Sequence, residues 1–168
     1  DHELPLVDLT LMVKAGSVDV DDSKIGLAAL LSGSIIRGGT ENRSPSELAQ
    51  ALDENAIHLS VTVGEEVAVI QLSVLKDDWQ AGLDILKEVL VRPGFDPAVF
   101  EIVKTQQLTE LQRQGGNAQA VAGRERDIWH FKGHPYGRDP LLGLQTISTI
   151  TREDLKQFLR DYFVPSNM

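Results

Sequence analysis

The stretch at residues 24–37 constrains the fold more than any other part of the sequence, because it carries no charge between its first and last residue. Its apolar side chains occupy nearly all sides of a helical wheel, a pattern that predicts a buried helix. Asp22 or Ser23 is the predicted N-cap, and the glycine pair at residues 38–39 is the predicted stop. A helix buried on most sides belongs against a sheet, so the chain is expected to supply one.

Two segments, residues 4–14 and residues 57–63, have the alternation of apolar and polar residues that is typical of strands. A third, residues 67–75, is mostly apolar and follows the second after a turn at Gly64 and Glu65. This arrangement predicts a hairpin with antiparallel pairing. Together with the buried helix, these strands predict an α+β fold in which helices pack over an antiparallel sheet.

The rest of the sequence predicts further helices. Ser44 and Glu47 form a capping box at the start of a short helix that ends near Asp53. Capping residues and helix-breaking glycines and prolines predict four longer helices in the rest of the chain, at residues 77–91, 97–114, 118–131 and 151–162. Residues 133–150, between the last two of these, are predicted to form a long surface loop.

Two smaller features have expected places in this fold. Trp79 and Trp129 are expected to lie in the core, because large aromatic side chains gain most from burial. The charged run at residues 124–127 alternates in sign, which predicts a solvated helical face.

Length and charge narrow the range of functions. A chain of 168 residues suits a single domain, residues 1–168. Its net charge of −9, from 25 acidic and 16 basic residues, argues against nucleic acid as a partner. No apolar run reaches the roughly 18 residues that cross a bilayer, and the absence of cysteine excludes thiolate zinc ligands.

Residues 26–40 have the sequence Gly-Leu-Ala-Ala-Leu-Leu-Ser-Gly-Ser-Ile-Ile-Arg-Gly-Gly-Thr. This segment resembles the zinc-binding helix of the pitrilysin and insulinase family of metallopeptidases, also called inverzincins. There it reads Gly-x-Ala-His-x-x-Glu-His and continues through apolar residues to Gly-Thr. The likeness extends over nearly the whole chain, through further segments in the same order at residues 4–17, 46–48, 100–111, 134–138, 150–155 and 162–168.

In the resembled family, two histidines on one helical face bind zinc, and a glutamate beside them activates a water molecule. Ala29 and Gly33 stand at the histidine positions, and Ser32 stands at the glutamate position. Glu110 follows Gly33 by 77 residues, which is the family's spacing for the third zinc ligand. The resemblance thus implies a degenerate site without a catalytic residue, with Glu110 as a vestigial ligand. Zinc, the cofactor of active relatives, is not expected to bind.

The function that the resemblance implies is that of a non-catalytic peptidase homologue. Such halves accompany active halves in this family, so the implied role is one wall of a peptide-binding chamber, with an active zinc-peptidase domain or subunit as partner. Leu59 and Ser60 replace the Asn-Ala of the substrate-binding edge strand, which argues against peptide capture by strand addition. The chain is expected to be the first domain of a longer protein, without its last strand. The bacterial character of the resemblance favours a periplasmic or envelope location.

Two other functions stay open at this point. One is an active zinc hydrolase with a rearranged metal site that uses Glu110 together with His58, His130 or His134. His130 and His134 are four residues apart, but a glycine and a proline nearby interrupt the helix that would place them on one face. The other is a stand-alone structural module that binds neither peptide nor peptidase.

Overall fold

The computed structural model of the protein describes residues 5–168. Within these residues, the strands form one antiparallel sheet in the order β1-β3-β2, with β1 at Leu6–Val13, β2 at His58–Val63 and β3 at Ala68–Leu75. β3 is central, and Leu72 lies opposite Leu9 on one side and Leu59 on the other. The predicted strands and the antiparallel hairpin are confirmed. Leu4, the predicted start of the first strand, lies outside the described residues.

Seven helices are present in the described part of the chain: α1 Leu27–Ser34, α2 Pro45–Glu54, α3 Trp79–Val91, α4 Pro97–Gly115, α5 Ala118–His130, α6 Gly143–Thr146 and α7 Arg152–Tyr162. α1 lies against β2, and α3 lies against β3. α4 and α7 pack on α1. The predicted α+β architecture is therefore confirmed.

The sheet buries one face and exposes the other. Ile70, Leu72 and Val74 of β3 are essentially inaccessible and lie beneath the helices. Met12, which points the opposite way in β1, is 60% exposed. This alternation follows from the period of two in a strand, and it places the core between the sheet and the helical layer.

Local capping signals locate most helix starts correctly. Ser44 and Glu47 form the predicted capping box of α2, and Thr151 forms another with Asp154 at α7. Asp96 accepts hydrogen bonds from two backbone amides at the start of α4. These contacts are made within three residues, so the sequence alone contains them.

The start of α1 differs from the prediction. The helix begins after Gly26, whose φ of 102° is accessible mainly to glycine. The residue that caps the chain here is Asp21, which accepts a hydrogen bond from the Ser23 amide and opens a short 3-10 turn. The prediction of Asp22 or Ser23 as N-cap is therefore wrong, and the left-handed glycine separates α1 from that turn. α1 also ends at Ser34, three residues before the predicted end at residue 37.

The prediction of a surface loop at residues 133–150 is also wrong. This segment contains α6 and three short 3-10 turns. Ile147 and Ile150 are 1% and 0% exposed and belong to the core. Single apolar residues in short turns have no periodic spacing, so their sequence cannot be distinguished from that of a surface loop.

The two tryptophans occupy different surroundings. Trp79 is half-buried and packs against the core, whereas Trp129 at the end of α5 is 80% exposed, contrary to the prediction. None of the helices in the described part of the chain is both long and apolar enough to span a bilayer.

Candidate functional site

Gly33 lies where α1 packs on α4, and the contact is tight. A Cβ atom built on Gly33 would lie 2.8 Å from Cγ1 of Val103, which is well inside van der Waals contact. Val103 is itself buried, at 1% exposure, and its branched side chain has little freedom to move away. The absence of a side chain at Gly33 thus permits the close approach of α4 to α1.

Ser32 connects α1 to the sheet. Its Oγ donates a hydrogen bond to the Ala28 carbonyl at 3.0 Å and accepts one from the Val63 amide at 2.8 Å. Val63 is the last residue of β2, which is an edge strand of the described sheet. The Ser32 hydroxyl, at the predicted general-base position, therefore holds the end of the edge strand, and the Val63 amide is not free to pair with an added strand.

Glu110 is engaged on its own helix. Its carboxylate accepts hydrogen bonds from Arg113 Nε and Nη2, at 2.9 and 2.7 Å, and from Gln114 Nε2 at 2.9 Å. The hydrogen bonds from Arg113, and next those from Gln114, lower the pKa of Glu110 to about 2. The carboxylate is exposed, ionised at neutral pH, and held in a two-pronged contact with a guanidinium group.

The histidines are not gathered around Glu110. His58 lies on the exposed face of β2, and His134 uses Nδ1 to accept a hydrogen bond from the Tyr136 amide at 3.2 Å. His130 ends α5 and packs edge-on against Phe131. Among residues 5–168, no three or more His, Asp or Glu side chains are placed so that they could hold a metal ion together.

Zinc does not fit the residues at the predicted ligand positions. A catalytic zinc ion needs three protein ligands at about 2.0 to 2.2 Å. Ala29 offers a methyl group, the space at Gly33 is closed by Val103, and Glu110 is paired with Arg113. The donor set at these positions therefore reduces to one carboxylate that is already engaged.

A cavity of about 670 Å³ opens beside α1. Its walls come from the segment at residues 17–26, α1, the β2–β3 turn, α4, α5 and the segment at residues 135–147. Of the four predicted site positions, Ala29 faces this space, whereas Ser32, Gly33 and Glu110 are not among the residues that line it. The structure thus brings Ala29 to the cavity and directs the other three elsewhere.

The sequence analysis missed the α5 side of this cavity. Ala120, Gly123, Arg124 and Asp127 line it from one face of α5. The prediction that residues 124–127 form a solvated face is wrong for Arg124, whose side chain is only 19% exposed. Arg124 is four residues from Ala120 and three from Asp127, so on a helix these residues share one face. This spacing was the available signal that they line a common surface.

Comparison with known families identifies this architecture. The family profile described as Insulinase (Peptidase family M16) matches residues 1–141. The chain belongs to this family. The family membership predicted from the sequence is confirmed.

Two curated relatives of this chain have different descriptions. The non-peptidase homolog YmxG of Helicobacter pylori is 30% identical over 157 residues, which are 94% of this chain and 36% of the relative. A probable mitochondrial-processing peptidase subunit beta of Arabidopsis thaliana is 26% identical over 156 residues, 93% of this chain and 29% of the relative. The chain thus spans 36% and 29% of the lengths of these two relatives.

A solved M16 structure has the same fold. The crystal structure of a peptidase M16 inactive domain from Pseudomonas fluorescens superposes with a TM-score of 0.89 at 25% identity. The match covers 99% of this chain and 40% of that one. These relatives are described as a non-peptidase homolog and an inactive domain. Their descriptions are consistent with this chain, whose described residues contain no group of side chains that could hold a metal ion.

Proposed function

We propose that this chain is a non-catalytic M16 domain that forms one wall of a peptide-binding chamber. The opposite wall is an M16 domain or subunit with an intact His-x-x-Glu-His motif. The observation that carries the proposal is the contact between Gly33 and Val103, because it occupies the space that a second histidine ligand needs.

In this proposal the degenerate positions have structural roles. Ser32 holds the end of β2, and Gly33 lets α4 approach α1. Glu110 is an intrahelical ion-pair residue and not a zinc ligand. A hydroxyl group that is already bonded to two backbone groups is also poorly placed to act as a general base.

The role as a chamber wall is supported by two facts. The cavity beside Ala29 is open although Val103 fills the space next to Gly33, so this side of the domain has a concave surface. Two relatives, a non-peptidase homolog and an inactive domain, are described as lacking peptidase activity. A third is described as a subunit of a processing peptidase.

The test is reconstitution with a motif-bearing M16 protein from the same source. We expect the chain alone to contain less than about a tenth of an equivalent of zinc and to cleave no peptide. The mixture should co-purify and cleave peptide faster than the partner alone. Replacing the partner's motif glutamate by glutamine should abolish this activity, whereas Glu110→Ala in this chain should not change it.

Other outcomes would select the other functions. Peptide cleavage by the chain alone, lost on chelation and in Glu110→Ala, would establish a rearranged metal site. Failure to associate with any motif-bearing M16 protein from the source would leave a stand-alone structural module.

A further inference from the structure

Apolar side chains from several elements line the cavity beside α1. Val63, Leu111 and Leu141 contribute from β2, α4 and the segment at residues 135–147. α5 borders the cavity without packing into it, since a Cβ atom added to Gly123 would meet no atom within 4 Å. The volume of about 670 Å³ falls in the range of about 300 to 1,000 Å³ that is usual for ligand sites.

Gln107 of α4 brings an unpaired amide group to this cavity. It lines the cavity and is half-buried, and its side chain makes no hydrogen bond within residues 5–168. In this part of the chain, the inaccessible side-chain atoms that lack a hydrogen-bond partner belong to Ser34 and Arg124. The Gln107 amide is not among them, so a ligand in the cavity can reach both its donor and its acceptor.

Gln114 presents a second amide group, two helical turns further along α4. Its Nε2 donates to Glu110 Oε1 at 2.9 Å, which leaves its carbonyl oxygen without a donor in the described residues. Gln107, Leu111 and Gln114 all line the cavity, because their spacing of four and three places them on one helical face. Seven residues of helix rise about 10.5 Å, and three residues of extended peptide span about 10 Å. The two glutamines are therefore spaced to meet main-chain groups about three residues apart in an extended peptide.

The charged residues on the cavity wall are already paired or face solvent. Among residues 5–168, these are Glu65, Arg124, Asp127 and Arg138. The last three form ion pairs, at 2.7 or 2.8 Å, with side chains that do not line the cavity. Glu65 is exposed at the rim. A carboxylate placed in the cavity would thus lose its hydration without gaining a free partner on these walls, so the cavity favours an uncharged ligand.

We infer that the cavity binds an uncharged, extended segment of an apolar peptide, with the Gln107 amide paired to a main-chain N–H and C=O of that segment. A side-chain amide has both donors and an acceptor, so it can complement a peptide group in both directions. Gln114 accepts from a second main-chain N–H. The inference rests on the proposed function and adds the chemical class of the ligand and the residues that bind it.

The test uses calorimetric titration of the 168-residue chain at pH 7 with acetyl-Leu-Phe-Ala-Leu-amide, which carries no charge. A set of ester analogues replaces one main-chain N–H at a time by oxygen. We expect at least one analogue to bind about 3- to 10-fold more weakly than the parent peptide, because it cannot donate to Gln107. A peptide with glutamate in place of phenylalanine should bind at least about tenfold more weakly, because its carboxylate is desolvated without a partner.

Variants on α4 and α5 provide the controls. In Gln107→Leu, the difference between the parent peptide and its weakest ester analogue should vanish, because leucine offers no acceptor. Gln112→Leu on the same helix should keep that difference within about twofold, since Gln112 is exposed and does not line the cavity. Gly123→Phe should weaken binding of the parent peptide at least about tenfold, because it fills open space without a clash. Thermal unfolding of each variant identifies any loss of fold.

Three results would each overturn the inference. They are no binding of the parent peptide at about 1 mM, equal affinities of the parent and all its ester analogues, and equal effects of Gln107→Leu and Gln112→Leu. None of them affects the proposed function, which is tested by cleavage in the presence of a motif-bearing partner. Peptide binding by a chain that associates with no such partner would instead overturn the proposed function and leave the ligand of the cavity as inferred.

Discussion

The two sides of α4 have opposite packing. Towards α1, the helices meet so closely at Gly33 that even a methyl group would collide with Val103. Towards α5, the cavity leaves Gly123 without a neighbour within 4 Å of an added Cβ atom. Both positions are helical glycines, but Gly33 lies in a closed helix–helix contact, whereas Gly123 borders an open cavity. The domain is thus tightly packed at the predicted ligand position and concave on the other side of α4.

The largest expected effect is a change in zinc affinity when a metal site is rebuilt at the α1–α4 contact. Ala29→His, Ser32→Glu and Gly33→His together restore the family motif beside Glu110. We expect this triple variant to bind zinc at least about tenfold more weakly than a quadruple variant that also carries Val103→Ala, because the second histidine needs the space that Val103 fills. Zinc titration with a chromophoric chelator measures the difference. A folded quadruple variant that binds no zinc would show that the alignment of these positions is wrong.

A single histidine at each glycine compares the two sides directly. Gly33→His should destabilise the protein by about 1 to 3 kcal/mol, because it overpacks the α1–α4 contact. Gly123→His should change stability by less than about 0.5 kcal/mol, since the cavity accepts the side chain and the helix loses a glycine. Urea unfolding measures both values. Equal losses of stability would contradict the difference described between the two sides.

Substitution of two serines on α1 tests whether the Ser32 hydroxyl holds the edge strand β2. Ser32→Ala should lower the free energy of unfolding by about 1 kcal/mol, because it leaves the Val63 amide without its acceptor. Ser34→Ala should be neutral or slightly stabilising, since Ser34 Oγ is buried and has no hydrogen-bond partner. Hydrogen exchange at Val63 should accelerate in Ser32→Ala alone. If the two variants behave alike, the hydroxyl of Ser32 does not hold the edge strand.

The smallest expected effect concerns Glu110. Its pKa in the folded protein is about 2, below the ordinary value of 4.5. The Arg113 contact therefore stabilises the fold fully above pH 4.5, and this contribution disappears as the pH falls towards 2. Because the pair is exposed, the contribution is small and weakens with salt.

Carbon NMR titration of the Glu110 carboxyl group checks this directly. Arg113→Ala should raise the midpoint towards 4.5, and Arg126→Ala, another exposed arginine, should leave it unchanged. A midpoint near 4.5 in the unaltered protein would show that Glu110 is not held by Arg113 and is available for other contacts.

The sequence predicts what depends on near neighbours. The capping boxes at Ser44 and Thr151 and the hairpin around Gly64 are all formed by residues a few positions apart. Ile147 and Ile150 were missed because their burial depends on contacts with distant elements and not on periodic spacing. The start of α1 was misplaced because a left-handed glycine is not distinguishable from other glycines in a sequence.

The same division applies to the candidate site. The motif positions at Ala29, Ser32, Gly33 and Glu110 are readable by resemblance, but what these residues do is set by tertiary contacts. Ser32 meets Val63 and Gly33 meets Val103, partners that are 31 and 70 positions further along the chain. The partial burial of Arg124 was missed, because its place in a charged run outweighed its helical spacing from Ala120. Residue identity predicted which chemistry is missing, and packing shows which contacts these residues make instead.

The contact between Gly33 and Val103 also bears on which residues position 33 can acquire. A histidine fits there only if Val103 first becomes smaller, or if the protein tolerates an overpacked intermediate of lower stability. Natural selection acts on each step separately, and the first step brings no zinc ligand. The close approach of two helices therefore makes a metal-binding residue at position 33 difficult to acquire during evolution.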